Sequence, residues 1–97
     1  MATVRDARQL IVIVTFAGTQ LLDIAGPLES FSLANRLRLQ GSTERPPEEW
    51  PYRVVVASHK GGLIRTNSGL PLETLSLRAV DRMGAVDTLI ISGGSGV

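Results

Sequence analysis

Three short stretches of the chain are almost entirely apolar and rich in β-branched side chains: residues 10–14, 52–57 and 88–91. None has the alternation of apolar and polar residues that marks a half-exposed strand. Each stretch therefore predicts a strand buried on both faces, as in parallel sheets that helices cover on both sides.

A helical pattern follows the first of these strands. Apolar residues recur at helical spacing, at Leu28, Phe31, Ala34 and Leu37. Gly26 and Pro27 predict the start of this helix, because a proline at the first helical position loses no hydrogen bond. The helix should end near Gly41.

The remaining segments complete an alternating order of elements. The proline-rich residues 41–51 predict a surface loop, and residues 75–83 have a weak helical pattern. Gly61 and Gly62 predict a tight turn into a short extended segment that Ser68 and Gly69 close. This order predicts a flavodoxin-like, doubly wound α/β fold with a mainly parallel sheet. The chain stops at a glycine turn where a helix should follow, so we interpret residues 1–97 as the N-terminal portion of a single domain whose sheet is incomplete here.

Composition excludes several classes of function. The chain has 97 residues, of which 43% are hydrophobic and 20% charged, which suits one globular core. Its longest apolar run is far short of the roughly 20 residues that span a bilayer, and no signal-peptide cleavage pattern follows it. We therefore expect a cytoplasmic protein without membrane contact. With no cysteine and one histidine, the chain has no thiol nucleophile and almost no metal ligands, and no cofactor is expected.

Asp23 is the first candidate for chemistry. It follows the first strand, at the edge where open α/β sheets bind their ligands, and a carboxylate there can act as a general acid or base. Aspartate is also a common helix cap, so its position leaves a capping role open. Glu29 would stand in the first turn of a helix that begins after Gly26, which predicts a structural role.

The turn at Gly93 and Gly94 is the second candidate. Its backbone N–H groups can approach an anion or a developing oxyanion, although a simple tight turn is the alternative and the phosphate-binding spacing G-x-G-x-x-G is absent. If Asp23 belongs to a site, its carboxylate should point toward this turn, because both lie at carboxyl ends of strands. His59, in a polar turn after the second strand, is predicted to be exposed.

Three segments, in order, resemble the ThiJ/PfpI superfamily, which has the class I glutamine amidotransferase-like fold. They are residues 20–29 (QLLDIAGPLE), 61–70 (GGLIRTNSGL) and 87–97 (DTLIISGGSGV). They look like the helix-1 motif, the glycine-rich segment, and the third strand with its turn. The resemblance covers nearly the whole chain from residue 10. It implies that Asp23 is the acid or base, that the Gly94 N–H is the oxyanion donor, and that Asp23, Gly93 and Gly94 contact the ligand.

Two branches of this superfamily fit. In AraC-type transcription regulators a ThiJ/PfpI-like domain precedes a helix-turn-helix pair, and residues 31–36 and the proline-rich loop look more like this branch. It implies a ligand-sensing domain for a small-molecule effector, a homo-oligomer, and DNA contact only through a region absent from this chain. The other branch resembles isonitrile hydratase, in which the aspartate matched by Asp23 works with a cysteine nucleophile. That branch implies a hydratase or amidase-like hydrolase whose nucleophile follows Val97.

Overall fold

The computed structural model describes residues 8–39 and 46–94. These residues form β1 (Gln9–Val14), α1 (Leu21–Arg38), β2 (Tyr52–Ser58), β3 (Gly62–Arg65), β4 (Pro71–Ser76), α2 (Leu77–Asp81) and β5 (Thr88–Ile91). The strands make one sheet in the order β3-β4-β2-β1-β5. A single 3-10 turn, Pro47–Glu49, precedes β2.

The first strand lies in the middle of the sheet. It pairs in parallel with β2 on one side and with β5 on the other, as predicted. Ile11 lies opposite Val54 and Thr88, so the three strands share one register. Successive side chains of a strand point to opposite faces, and four consecutive residues of β1, from Leu10 to Ile13, are buried. The prediction that β1 is buried on both faces is confirmed.

The two helices cover opposite faces of this sheet. Leu10 and Val12 pack in one cluster with Ala57 and with Val80 of α2. The other face lies under α1, where the Phe31 ring is 5.3 Å from the ring of Tyr52. The fold is therefore a doubly wound, flavodoxin-like α/β arrangement with a mostly parallel sheet, as the order of elements predicts.

The start of α1 differs from the prediction. The helix begins at Leu21, and Pro27 lies inside it. Proline in a helix interior loses the hydrogen bond to the carbonyl four residues earlier, here that of Asp23. Burial of Ile24 beneath this first turn favours the helix despite the loss. Glu29 therefore lies in the middle of the helix and not in its first turn.

The other end of α1 also differs from the pattern. The helix ends at Arg38, and Gly41 lies outside the described residues. Leu37, which the spacing assigns to the buried stripe, is exposed, whereas Asn35 is buried. No helix among the described residues is long and apolar enough to cross a membrane.

A hairpin follows β2, close to the predicted glycine segment. β3 and β4 pair antiparallel around a turn at residues 66–70. The sequence did not predict that β4 would also extend the main sheet by a short parallel pairing with β2. The following helix begins at Leu77, two residues after the predicted start, because the Ser76 hydroxyl caps it by accepting the Ala79 N–H at 3.0 Å. The loop prediction is wrong for Pro47–Glu49, which form the 3-10 turn.

The last strand is less buried than predicted. Leu89 is 59% exposed and Ile91 is 72% exposed. Both point to the face that carries α2, but α2 packs over β2 and β4. The described residues supply no cover for this part of β5 and no strand beyond its outer edge. The sequence of β5 thus has the apolar pattern of a buried strand, but one face of the strand is partly exposed among the described residues.

Asn35 fastens α1 to the start of β2. Its side-chain oxygen accepts the Tyr52 N–H at 2.8 Å, and its amide nitrogen donates to the Tyr52 carbonyl at 3.1 Å. The side chain thereby satisfies both backbone groups of one residue, as a neighbouring strand would. Buried backbone groups need hydrogen-bond partners, which explains why a polar residue occupies a buried position on the helix.

Replacing Asn35 should therefore be costly. We expect Asn35→Ala to lower the free energy of unfolding by about 2–4 kcal/mol, because two backbone groups lose their partner. Chemical denaturation followed by circular dichroism measures the loss. Asn67→Ala is the control, because its exposed side chain makes no hydrogen bond among the described residues, and it should change stability by less than about 0.5 kcal/mol. Equal effects of the two substitutions would contradict this account of Asn35.

Candidate functional site

The carboxyl ends of β1 and β5 meet at one edge of the sheet. The Ser92 N–H donates to the Val14 carbonyl at 3.0 Å, and the Gln20 N–H donates to the Gly93 carbonyl at 3.0 Å. Thr19 and Gly94 form an isolated antiparallel bridge. The loop after β1 and the turn after β5 are therefore joined along their length, immediately before α1 begins.

Asp23 reaches this junction from the first turn of α1. Its Oδ2 accepts the Gly93 N–H at 3.0 Å, so the carboxylate points toward the glycine turn, as expected for a residue of the site. Gln20 occupies the cap position, and the helix start has no side-chain cap. The capping role considered for Asp23 is thus wrong. Asp23 as a whole is half-buried, and the described residues provide no hydrogen-bond donor to its other carboxylate oxygen, Oδ1.

Close contacts explain both glycines of the turn. A Cβ atom on Gly93 would lie 2.9 Å from Asp23 Oδ2. One on Gly94 would lie 2.6 Å from the Gly18 carbonyl oxygen and 2.7 Å from the Thr19 Cα. Only a residue without a side chain allows the two segments to approach this closely. The Gly94 N–H has no acceptor among the described residues, and its role as an oxyanion donor remains a prediction.

Three buried hydroxyl groups lie beneath the junction. Ser92 donates to Thr15 Oγ1 at 3.0 Å, so Thr19 Oγ1 must donate in its 2.7 Å contact with Ser92 Oγ. The one proton of the Thr19 hydroxyl is shared between Ser92 Oγ and the Gly93 carbonyl oxygen, which lies 3.1 Å away. This hydroxyl cluster of Thr15, Thr19 and Ser92 ties β1 to β5 through side chains as well as backbone. Sequence reasoning missed it, although Thr15 and Ser92 each directly follow a predicted strand.

The β3–β4 hairpin supports the same loop from another side. The Gly18 N–H donates to the Arg65 carbonyl at 2.8 Å, and the Asn67 N–H donates to the Thr19 carbonyl at 2.9 Å. The tip of the hairpin is therefore part of the frame that holds the loop between β1 and α1. The sequence pattern does not indicate this contact, because the contact joins segments more than forty residues apart.

The other sequence candidates lie apart from this junction. His59 is exposed in the turn after β2, as predicted, and makes no hydrogen bond to Asp23 or Gly93. Glu29 is exposed on α1 and lines a cleft of about 480 Å³ at the opposite edge of the sheet. Arg8, Asn35, Trp50 and Arg53 also line this cleft, between the second half of α1 and the starts of β1 and β2. The cleft is thus separate from the Asp23 junction.

The junction combines a carboxylate oxygen with backbone N–H groups in a frame of buried polar contacts. These groups can accept a hydrogen bond at Asp23 and donate one from the glycine turn. The chain contains no cysteine, and the three hydroxyls of the cluster are buried and hydrogen bonded to each other. The described residues therefore offer a carboxylate and backbone N–H groups, but no exposed nucleophile, at this junction.

No protein-family model matches the chain. It is 34% identical over 86 residues to an uncharacterised protein in the cpoL 5′ region of Streptomyces lividans, a match that covers 87% of this chain and 50% of that protein. The chain thus spans about half the length of the curated relative it matches. Among solved structures, it is similar to an AraC family transcriptional regulator from Pseudomonas putida, with a TM-score of 0.60 and 15% identity. That similarity covers 89% of this chain and 47% of the regulator, and at this identity it shows a shared fold.

The close contacts of Gly94 lead to a stability prediction. We expect Gly94→Ala to destabilise the fold by about 2–4 kcal/mol, because the new methyl group meets backbone atoms of the neighbouring loop. Gly69→Ala is the matched control: Gly69 has a φ of +91° and no atoms within 4 Å of its ideal Cβ position. It should lose only about 1 kcal/mol, from backbone strain. Thermal unfolding of both variants measures the difference, and equal losses would show that the close approach contributes nothing.

Proposed function

We propose that this chain is the N-terminal part of the ligand-sensing domain of an AraC-type transcription regulator in the cytoplasm. The similarity in fold to an AraC family regulator is the observation that carries the proposal. The ThiJ/PfpI-like segments support it, because they supply the residues of the junction: Asp23 from the first segment, and Gly93 and Gly94 from the third. Fold alone does not define function, so the function depends on what this junction can bind.

The effector is a small molecule held at the Asp23 junction. Asp23 Oδ1 receives an amine or amide N–H of the effector, and the Gly94 N–H donates to one of its oxygen atoms. Asp23 Oδ2 keeps its bond to the Gly93 N–H, which fixes the carboxylate before binding. Occupation would then hold the start of α1 against the end of β5. DNA contact belongs to a helix-turn-helix region outside this chain.

The alternative is the N-terminal part of a cysteine-dependent isonitrile hydratase or amidase-like hydrolase. Asp23 would then act as the acid or base, and the Gly94 N–H would stabilise an oxyanion. This function needs a cysteine at a strand-to-helix turn after Val97. The reading frame downstream separates the two proposals: a helix-turn-helix pair supports the regulator, whereas a cysteine at that turn followed by an early stop supports the enzyme.

Substitution of Asp23 tests the proposed effector site. In the longer polypeptide, thermal shifts with a panel of small amines, amides and amino acids should identify molecules that stabilise the wild type. We expect Asp23→Asn to weaken their binding about 10- to 100-fold, because a charge-assisted hydrogen bond contributes about 1.5–3 kcal/mol. Asparagine keeps an oxygen for the Gly93 N–H, so the fold should persist. Asp81→Asn, an exposed aspartate at the end of α2, is the control. If Asp23→Asn bound these molecules as tightly as the wild type, the effector would not bind at this junction.

We also propose that residues 1–97 are one part of a single larger domain. The uncovered face of β5 supports this, because its Leu89 and Ile91 have the pattern of core residues. Leu89→Ala should destabilise the longer polypeptide by about 2–5 kcal/mol, as for a core leucine, and the 97-residue chain by less than about 0.5 kcal/mol. Leu63→Ala, at an even more exposed leucine of β3, serves as the comparison and should have a small effect in both proteins. A small effect of Leu89→Ala in both proteins would place β5 at a true sheet edge.

A further inference from the structure

Among the described residues, β5 pairs with the sheet along one side only, through β1. The pairing extends over Thr88–Ile91, and the last three of these four residues are all apolar. Because side chains of a strand alternate with a period of two, a slip of β5 by two positions would return every side chain to its original face. Leu89 and Ile91 are exposed, so no core on their side opposes such a slip. The apolar pattern therefore specifies the register of β5 only weakly.

Asp87, immediately before β5, binds both backbone groups of Leu10. Its Oδ2 accepts the Leu10 N–H at 2.9 Å, and its own N–H donates to the Leu10 carbonyl at 2.9 Å. If the parallel ladder continued in the same register, the Leu10 N–H would donate to the Val86 carbonyl. The Asp87 carboxylate takes the place of that carbonyl and ends the ladder. Only one register of β5 brings Asp87 beside Leu10, so these two hydrogen bonds select it.

The register of β5 in turn decides where the glycine turn lies. A strand rises about 3.3 Å per residue, so Asp87 and Gly93 are about 20 Å apart along the chain direction. A slip by two residues would move Gly93 by about 7 Å. Its N–H would then no longer reach Asp23 Oδ2, which accepts it at 3.0 Å. The bridge between Thr19 and Gly94 would be lost as well.

We propose that Asp87 is a positioning residue of the Asp23 junction. Its two hydrogen bonds to Leu10 fix the register of β5, and they thereby place the glycine turn against Asp23 from the opposite edge of the sheet. This role concerns the geometry of the junction and is independent of what the junction binds. It differs from a general contribution to stability, which would affect all strands of the sheet alike.

Two substitutions separate geometry from charge at Asp87. Asp87→Asn keeps an oxygen at the same distance from the backbone and removes the charge, whereas Asp87→Glu keeps the charge and adds a methylene group. Amide hydrogen exchange, measured by NMR in the longer polypeptide, is the readout. The Ser92 and Gly93 N–H groups report the carboxyl end of β5, and the Thr15 N–H, which bonds to β2, reports the rest of the sheet.

We expect Asp87→Glu to speed exchange at Ser92 and Gly93 about 10-fold relative to Thr15, because β5 then opens locally. Asp87→Asn should speed it by no more than about 3-fold, since its oxygen can still accept the Leu10 N–H. Asp81→Glu, at an exposed aspartate of α2, is the control and should change none of the three rates.

Three outcomes would overturn the proposal. Equal acceleration at all three amides would make Asp87 a generally stabilising residue. Exchange at least as fast in Asp87→Asn as in Asp87→Glu would show that charge matters and geometry does not. Unchanged exchange at Ser92 and Gly93 in both variants would mean that other contacts set the register.

Effector binding gives a second readout, which rests on the proposed function. A molecule that stabilises the wild type in the thermal-shift panel should bind Asp87→Glu about 10-fold more weakly, because the glycine turn is displaced, and Asp87→Asn nearly as tightly. Undiminished binding by Asp87→Glu would overturn the positioning role. A panel without any binder would count against the proposed function alone, and the exchange rates would then decide the role of Asp87.

Discussion

The parallel pairing of β1 with β5 is the constraint on which the candidate site depends. Val14 lies opposite Ile91 in this pairing, so the residues that follow, Thr15 and Ser92, leave the sheet side by side. The hydroxyl cluster and the Asp23–Gly93 hydrogen bond can form only from that position. A shift of β5 by one residue would reverse the faces of its side chains and move Gly93 away from Asp23.

Polar groups inside this structure are placed where the backbone would otherwise lack partners. Among the described residues, no buried side-chain nitrogen or oxygen is without a hydrogen bond. Asn35 serves the start of β2, and the hydroxyl cluster serves the ends of β1 and β5. Buried polar networks specify one arrangement strongly when every member is satisfied, because any alternative leaves a costly unpaired group. The loop between β1 and α1 is thus fixed from three directions: by β5, by the hairpin and by the helix.

Among the described residues, exposed apolar side chains lie on β5 and on the outer side of α1. β5 lies at the edge of the described sheet and exposes the side chains of Leu89 and Ile91. A further strand could pair with this edge, and a further helix could cover these two side chains. The outer side of α1 exposes Leu22, Leu33 and Leu37 on a helix whose own backbone is hydrogen bonded. The two surfaces lie on opposite sides of the sheet, because α1 covers the sheet face opposite to that of Leu89 and Ile91.

The sequence by itself determined the order of the elements and the three core strands. Unbroken β-branched runs such as that of β1 have few alternatives to a doubly covered strand, so the parallel sheet and the doubly wound fold followed. Local pattern also indicated that Asp23 and the Gly93–Gly94 turn would share one edge, because both follow strands predicted to be parallel.

Tertiary contacts decided the rest. The start of α1 at Leu21 depends on the burial of Ile24 and on the hydrogen bond from the Gly93 N–H to the Asp23 carboxylate. Both contacts require the assembled sheet. The local sequence shows only Pro27, which predicts a later start of the helix. The joining of Thr15, Thr19 and Ser92 brings together residues more than seventy positions apart, which no local spacing encodes. For the same reason the burial of Asn35 and the exposure of Leu37 could not be read from helical periodicity. Periodicity shows which residues share a side of a helix, and only the packed sheet shows which side faces it.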